Sequence, residues 1–377
     1  MSKIWSINRG RAARWLGVML LFLSLPMAAP APAAESAGAI ASDDPSTQPS
    51  EILPRAVKSL LLDVAHTEAG FVAVGERGHV LLSSDGKTWA QVQTPTRSTL
   101  TVVTSIEGQL WAAGHDGVIL HSADGGKSWQ AQRRDPYQLA AGENPADHDI
   151  RQGVPILDIA FADSSNGIAV GAYNLVLITH DGGATWSARQ AISSAPATEA
   201  RHEPAQGDVF SKEDLQLGDE SDPHLNSIAH AGGNVWVIAG ERGTFLRSTD
   251  NGEHWQKLAF PCAGSMFGVM AWDDNHLLAF GLRGNVYESF DQGLIWSKVD
   301  ALCGVALMGG IALPEGGAVL VGANGTVRVR AKSGLPFVAQ TYKNANGETP
   351  YLAGVILDGN GDYLLVGDKG VDLFHPQ

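Results

Sequence analysis

The stretch "LHSADGGKSWQAQ", residues 120–132, decides the fold because it returns. "LLSSDGKTWAQV" stands at 81–92, "LITHDGGATWSAR" at 177–189, "LRSTDNGEHWQKL" at 246–258 and "YESFDQGLIWSKV" at 287–299. Working outward, each motif is preceded by an apolar run that ends in glycine, a short turn and a second apolar run. "LWAAGHDGVILHS" and "LLAFGLRGNVYES" are two examples. Two further units, "AVLVGANGTVRVR" and "YLLVGDKGVDLF", follow without a good motif behind them. The glycines closing the first run are Gly75, Gly114, Gly171, Gly240, Gly281, Gly322 and Gly367, so there are seven units. Their spacings of 39, 57, 69, 41, 41 and 45 residues give a period near 40 with two insertions.

Each unit also opens on an apolar segment such as "LLLDVAH" or "MFGVMAW", and each good motif is followed by a short strand starting at Trp. Four short strands per period of about 40 residues is the signature of a β-propeller blade. No long 3.6-period apolar pattern competes with it. The expected fold is therefore all-β, a seven-bladed β-propeller. The seventh unit stops after its third strand, so a strand from "EILPRAVK", residues 51–58, is expected to close the ring and remove an open sheet edge.

The motif reads as structural. A hydroxyl and a carboxylate bond the turn's own N–H groups, glycine supplies a positive φ, and Trp buries its ring against the blade. The residues concerned are Asp85 and Trp89, Asp124 and Trp129, Asp181 and Trp186, Asp250 and Trp255, and Asp291 and Trp296. The first copy is one residue short, the fourth has His254 and the fifth Ile295 where Ser or Thr stands elsewhere. The pattern resembles the Asp-box (BNR) repeat of sialidases and of several non-enzymatic propellers. It names a fold element and not an activity.

The start of the chain reads differently. Lys3, Arg9, Arg11 and Arg14 precede the apolar run "WLGVMLLFLSLPMAA" and the small residues "PAPAAES". Residues 1–33 are expected to be a secretory signal peptide cleaved after Ala33. The alternative, a membrane anchor, needs a run of about 20 residues where this one has about 15. Residues 34–50 are small and polar and read as a flexible linker, leaving 51–377 as the propeller. Losing four cations takes the formal charge from −14 to −18, so the overall field argues against nucleic acid or anionic lipid as a partner. Beyond the leader no segment reaches spanning length, so the expected location is the periplasm, or a thylakoid lumen in a phototroph.

The twelve histidines form no ligand-spaced cluster, so neither a metal nor a cofactor is expected. A sialidase-like hydrolase or glycan-binding propeller is the alternative function. Its Arg-Ile-Pro segment is absent, since "ILPRAV" puts Pro54 before Arg55, and Tyr173, Tyr287 and Tyr363 lie inside repeats. Such a hydrolase needs two carboxylates facing each other about 5–10 Å apart.

"LLDVAHTEAGFVAVGERGHVLLSSDGKTW", "DIAFADSSNGIAVGAYNLVLITHDGGATW" and "GLRGNVYESFDQGLIW" resemble the photosystem II stability/assembly factor family of cyanobacteria and chloroplasts, with its relatives in non-photosynthetic bacteria. The resemblance runs over about residues 55–374 and implies a non-catalytic scaffold for a membrane-protein assembly intermediate. Two blades without the box and two acidic insertions, 133–153 and 190–222, depart from that pattern.

Arg77, Arg242, Arg283 and Lys369 stand at equivalent turns, "GERG", "GERG", "GLRG" and "GDKG". They are the candidate partner-binding residues, on the face that also carries the insertions. The competing reading is that Glu76 and Glu241 neutralise their neighbours. Cys262 and Cys303 lie one period apart, and a disulfide between adjacent blades is weighed against two separate thiols. The expected protein is an exported, monomeric scaffold that binds a membrane protein or envelope complex.

Overall fold

The computed structural model describes residues 39–40, 44–136, 138–139, 153–192, 222–273 and 275–376. The leader expected at 1–33 falls within a separate unit, Met1–Ala37, outside the described residues, as does most of both insertions. A two-residue ladder pairs Ala39 with Leu139 and Ile40 with Gln138.

Seven antiparallel meanders form the ring, six of four strands and one of three. Their inner strands are Leu61–Thr67, Leu100–Ile106, Ile156–Phe161, Leu225–His230, Met266–Ala271, Leu307–Leu313 and Leu352–Leu357. These define blades one to seven. The second strand of each blade, such as Leu277–Gly281 or Tyr363–Gly367, is buried along its whole length. That is why it reads as an unbroken apolar run rather than an alternating one. Fourth strands such as Gln256–Lys257 are exposed. The core is accordingly divided into seven apolar clusters, one at each junction between neighbouring blades.

The seven glycines have a steric cause. Every inner strand shifts register after its first residue, between Leu61 and Asp63 in blade one and at the matching place in the other six. Such a bulge turns one residue out of the ladder. The closing glycine sits opposite, and a Cβ on Gly114 would lie 2.0 Å from the Thr99 carbonyl oxygen. The same clash, at 2.0–2.6 Å, would arise at the other six.

Ring closure departs from expectation in form. Residues 51–58 do reach the seventh blade, but as a 3-10 turn, Ala56–Lys58, and blade seven keeps three strands. Pro54 has no N–H to give a sheet ladder, which disfavours a strand there. Ala56, Val57 and Leu53 pack instead into the junction core with Phe71 and Leu81 of blade one and Leu364, Val366 and Val371 of blade seven. The linker expectation also needs correction, because residues 44–50 are folded against blade one. Ser46 and Ser50 are buried, and the Ser50 N–H donates to the Thr94 carbonyl at 2.9 Å. Residues 44–58 thus form a strap across the seam of the ring.

Candidate functional site

Each propeller strand has two ends, and the third strand separates them cleanly. It begins at the turns that carry Arg77, Arg242, Arg283 and Lys369 and finishes at the Asp boxes. The connections between blades return to the first end, hereafter the connection face.

At the box end the geometry is that of a self-contained turn. The Ser122 Oγ accepts from the Gly126 N–H at 3.0 Å and donates to Asp124 at 2.8 Å, while Asp124 accepts the Ser128 N–H at 2.9 Å. The same bonds recur around Asp85, Asp181, Asp250 and Asp291. Hydrogen bonds from Ser128 hold the Asp124 carboxyl down at about 2, and bonds from Thr88 and Lys87 do the same for Asp85. The indole N–H groups of Trp89, Trp129 and Trp296 donate to a box glycine carbonyl, whereas those of Trp186 and Trp255 have no partner among the described residues.

Blade six, without a recognisable box, keeps the turn with other chemistry. Counting back from Phe337 as from Trp296 puts Arg330 where Ser289 stands. Arg330 is buried and donates to Glu288 of blade five at 2.7 Å and to the Gly316 carbonyl at 2.8 Å. His276 contacts the same Glu288 oxygen at 2.6 Å. Burial works to raise Glu288, but the bonds from Arg330 and His276 outweigh it and hold the carboxyl below its ordinary range.

On the connection face, Arg77, Arg242 and Arg283 adopt φ of 55°, 53° and 57°. Blades two and six have Asp116 and Asn324 at the corresponding left-handed position, residue types that tolerate it better than arginine. Among the described residues Arg77 and Arg283 make no ion pair. Glu76 turns instead to the Leu60 N–H at 3.3 Å, so neutralisation by the preceding glutamate fails at Arg77. Arg242 does keep Glu241 at 3.9 Å, and Lys369 has Glu348 at 3.7 Å. The four cations fall as two neighbouring pairs, blades seven and one, and blades four and five. Lys58 was hidden within the segment read as a strand. It lines a cavity of about 300 Å³ with Lys369, Glu348, Tyr342 and Asp372.

The channel holds two carboxylates that sequence reasoning passed over. Asp63 and Asp158 directly follow the bulged residue on inner strands and line a cavity of about 240 Å³. Each reaches the next blade: Asp63 accepts the Val103 N–H at 2.8 Å, and Asp158 the Ile228 N–H at 2.9 Å and the Ser227 hydroxyl at 2.8 Å. Burial pushes Asp63 up to about 7 and Asp158 to about 6, against those hydrogen bonds. Their oxygens serve as latches between blades.

Cys262 and Cys303 are free thiols, so the disulfide is not formed. They pack at different junctions, four–five and five–six. Each sulfur is engaged within its own connection, Cys262 by the Gly264 N–H and Cys303 with the Val305 carbonyl.

Comparison with known proteins follows this geometry. The family described as photosynthesis system II assembly factor YCF48 matches residues 44–142 and 145–334. The photosystem II assembly lipoprotein Ycf48 of Synechococcus sp. (strain CC9902) is 33% identical over 102 residues, 27% of this chain and 23% of that protein. The chloroplastic photosystem II stability/assembly factor HCF136 of Arabidopsis thaliana is 32% identical over 130 residues, 33% of this chain and 27% of its own length. The chain therefore matches only about a quarter of the length of these relatives. A solved structure titled YCF48 bound to D1 peptide superposes with a TM-score of 0.58 over 92% of this chain and 100% of the other, at 14% identity, a likeness of fold. With the family match covering the whole strap, blades one to five and the first three strands of blade six, this propeller belongs to the photosystem II assembly factor YCF48 family.

Proposed function

We propose that this chain is a non-catalytic scaffold that holds a membrane-protein assembly intermediate through its connection face. One observation carries the reading most directly. Arginine occupies a left-handed turn position in three blades, and two of those arginines, Arg77 and Arg283, have no charged partner among the described residues. Backbone strain retained at an exposed side chain favours a role for that side chain. The guanidinium groups of Arg77 on blade one and Arg283 on blade five suit the carboxylates and carbonyl oxygens of an extended peptide. A YCF48 relative carries a D1 peptide by its title, and a peptide of a membrane protein is the partner class we carry over.

Export by the segment at 1–33 places the scaffold in the periplasm or an equivalent lumen, acting as a monomer. No helix among the described residues is long and apolar enough to cross a membrane.

The test is affinity purification of the tagged exported protein from gently solubilised envelope, beside an Arg77→Glu/Arg242→Glu/Arg283→Glu variant. A membrane protein retained by the parent and lost by the variant is the expected result. A partner retained equally by both moves the site off this face, and no specific partner with either form overturns the scaffold reading.

A further inference from the structure

The connection face is apolar on one side only. Between blades four and five the chain runs "LAFPCAGS", residues 258–265, and between blades five and six "DALCGVA", residues 300–306. The other two short connections, "QTPTRST" at 93–99 and "KNANGETP" at 343–350, are polar. Pro261 and Ala263 are exposed, and Leu302 is 54% exposed. The blade-five turn adds Leu282, 38% exposed, where the other six blades have Glu76, His115, Ala172, Glu241, Ala323 and Asp368.

Both apolar connections clasp the turn that presents Arg283. The Leu282 N–H donates to the Ser265 carbonyl at 2.9 Å, and a Cβ on Gly284 would lie 2.4 Å from the Cys303 carbonyl oxygen. Leu302 itself stands in the left-handed region, at φ 50°, where leucine is uncommon. Its neighbours fix it there. The Asp300 carboxylate accepts the Leu302 N–H at 2.8 Å. Arg328 of blade six donates to the Leu302 carbonyl at 3.0 and 3.2 Å and to that of Ala301 at 3.0 Å. A half-exposed leucine is thus presented from a backbone held against its own preference.

Charge on these elements favours an anion. Residues 258–265 carry none, the turn supplies Arg283, and residues 300–306 supply Asp300. Arg328, lying on the Leu302 carbonyl, brings the count to two cations and one carboxylate. Arg242 of the preceding blade is matched by Glu241 at 3.9 Å.

We infer, resting on the scaffold reading above, that blade five reads an apolar side chain next to a carboxylate in an extended segment of the partner. Arg283 takes the carboxylate, and Leu282 and Leu302 cover the apolar side chain. A carboxylate alone would leave the leucines in water, and an apolar group alone would strip water from Arg283 without replacing it. A peptide that offers both satisfies the patch, and the pairing adds specificity to the attraction supplied by charge.

The probe is a library of random-sequence peptides displayed on phage, panned on the exported protein immobilised through a C-terminal tag. Enriched peptides should place Leu, Ile, Met or Phe beside Asp or Glu. One of them is then synthesised and its affinity measured by fluorescence anisotropy. Leu282→Ala/Leu302→Asn should weaken binding about tenfold or more. Exchanging the peptide's apolar residue for serine should cost the parent as much and this variant little, and Arg283→Gln should erase the preference for Asp over Asn. Asn324 adopts φ 58° in the next blade, so Leu302→Asn suits the backbone and should leave the urea midpoint unchanged or higher.

Equal binding by the folded double variant overturns the inference, as does a lowered midpoint for Leu302→Asn, which would make that leucine a packing residue. Enrichment of acidic peptides without an apolar neighbour ends it and leaves the scaffold reading standing. Failure to enrich any peptide overturns it too, with the envelope purification deciding the scaffold reading separately. Dimerisation of the parent that the double variant abolishes would assign the patch to a second copy of the chain, again overturning it.

Discussion

A single atom decides the most regular feature of this chain. The seven glycines that close the second strands have an extended backbone at Gly75, Gly281 and Gly322, with φ near ±180°, so conformational freedom is not their purpose. They are glycine because the bulged start of the inner strand brings a carbonyl oxygen to where a Cβ would stand. Gly114→Ala should destabilise the protein by about 1–3 kcal/mol, the usual range for an overpacked core site, read as a lower urea midpoint. An unchanged midpoint would mean that the bulge relaxes freely. The glycine positions were legible in the sequence, but their cause was not, because a bulge leaves no local signature beyond the residue it excludes. Arg330 was similarly hidden. Its role depends on Glu288, 42 residues away, and only alignment on Phe337 exposes it as the replacement for a box serine.

At the scale of elements, the periodic pattern accounts for all seven blades and leaves only the seam to be built by particular residues. The strap was expected as a strand because a three-stranded blade presents an edge. Pro54 prevents that pairing, and apolar burial of Ala56, Val57 and Leu53 holds the seam in place of a ladder. Ala56→Asp places a carboxylate within that core at a cost of about 3 kcal/mol or more. Amide hydrogen exchange should then quicken selectively in the third strand of blade seven, Gly370–Phe374, over the equivalent strand Thr326–Arg330 of blade six. Uniform acceleration in both would show that the strap stabilises the ring as a whole rather than its seam. Placing Asp44–Ser50 in the fold was beyond the sequence, since its small polar residues look like tether until Thr94 and Arg97 supply their partners.

For the whole molecule, pH acts through two groups of carboxylates with opposite sign. Asp63, raised to about 7, and Asp158, raised to about 6, bind a proton more tightly in the folded ring than at the ordinary value of 3.8. Their contribution is fully present below about pH 4 and is lost as pH rises toward 7. The box aspartates, held low by their turns, contribute stability above 3.8 that is lost as pH falls toward 2. Urea midpoints should therefore fall between pH 4.5 and pH 7.5, and Asp63→Asn should flatten much of that slope. A parent midpoint that rises across the interval would contradict the latch assignment. Neither aspartate stood out in the sequence, since the circular arrangement alone brings them to a common channel.

The strap also imposes an order in time. Ala56 leaves the ribosome 315 residues before Val371, its neighbour in the seam core. Six blade junctions can assemble from sequence neighbours as the chain lengthens, but the seventh waits for the final strand. A nascent or truncated chain therefore carries an unclasped strap with its apolar residues uncovered, and emergence of the third strand of blade seven becomes the event that locks the circle.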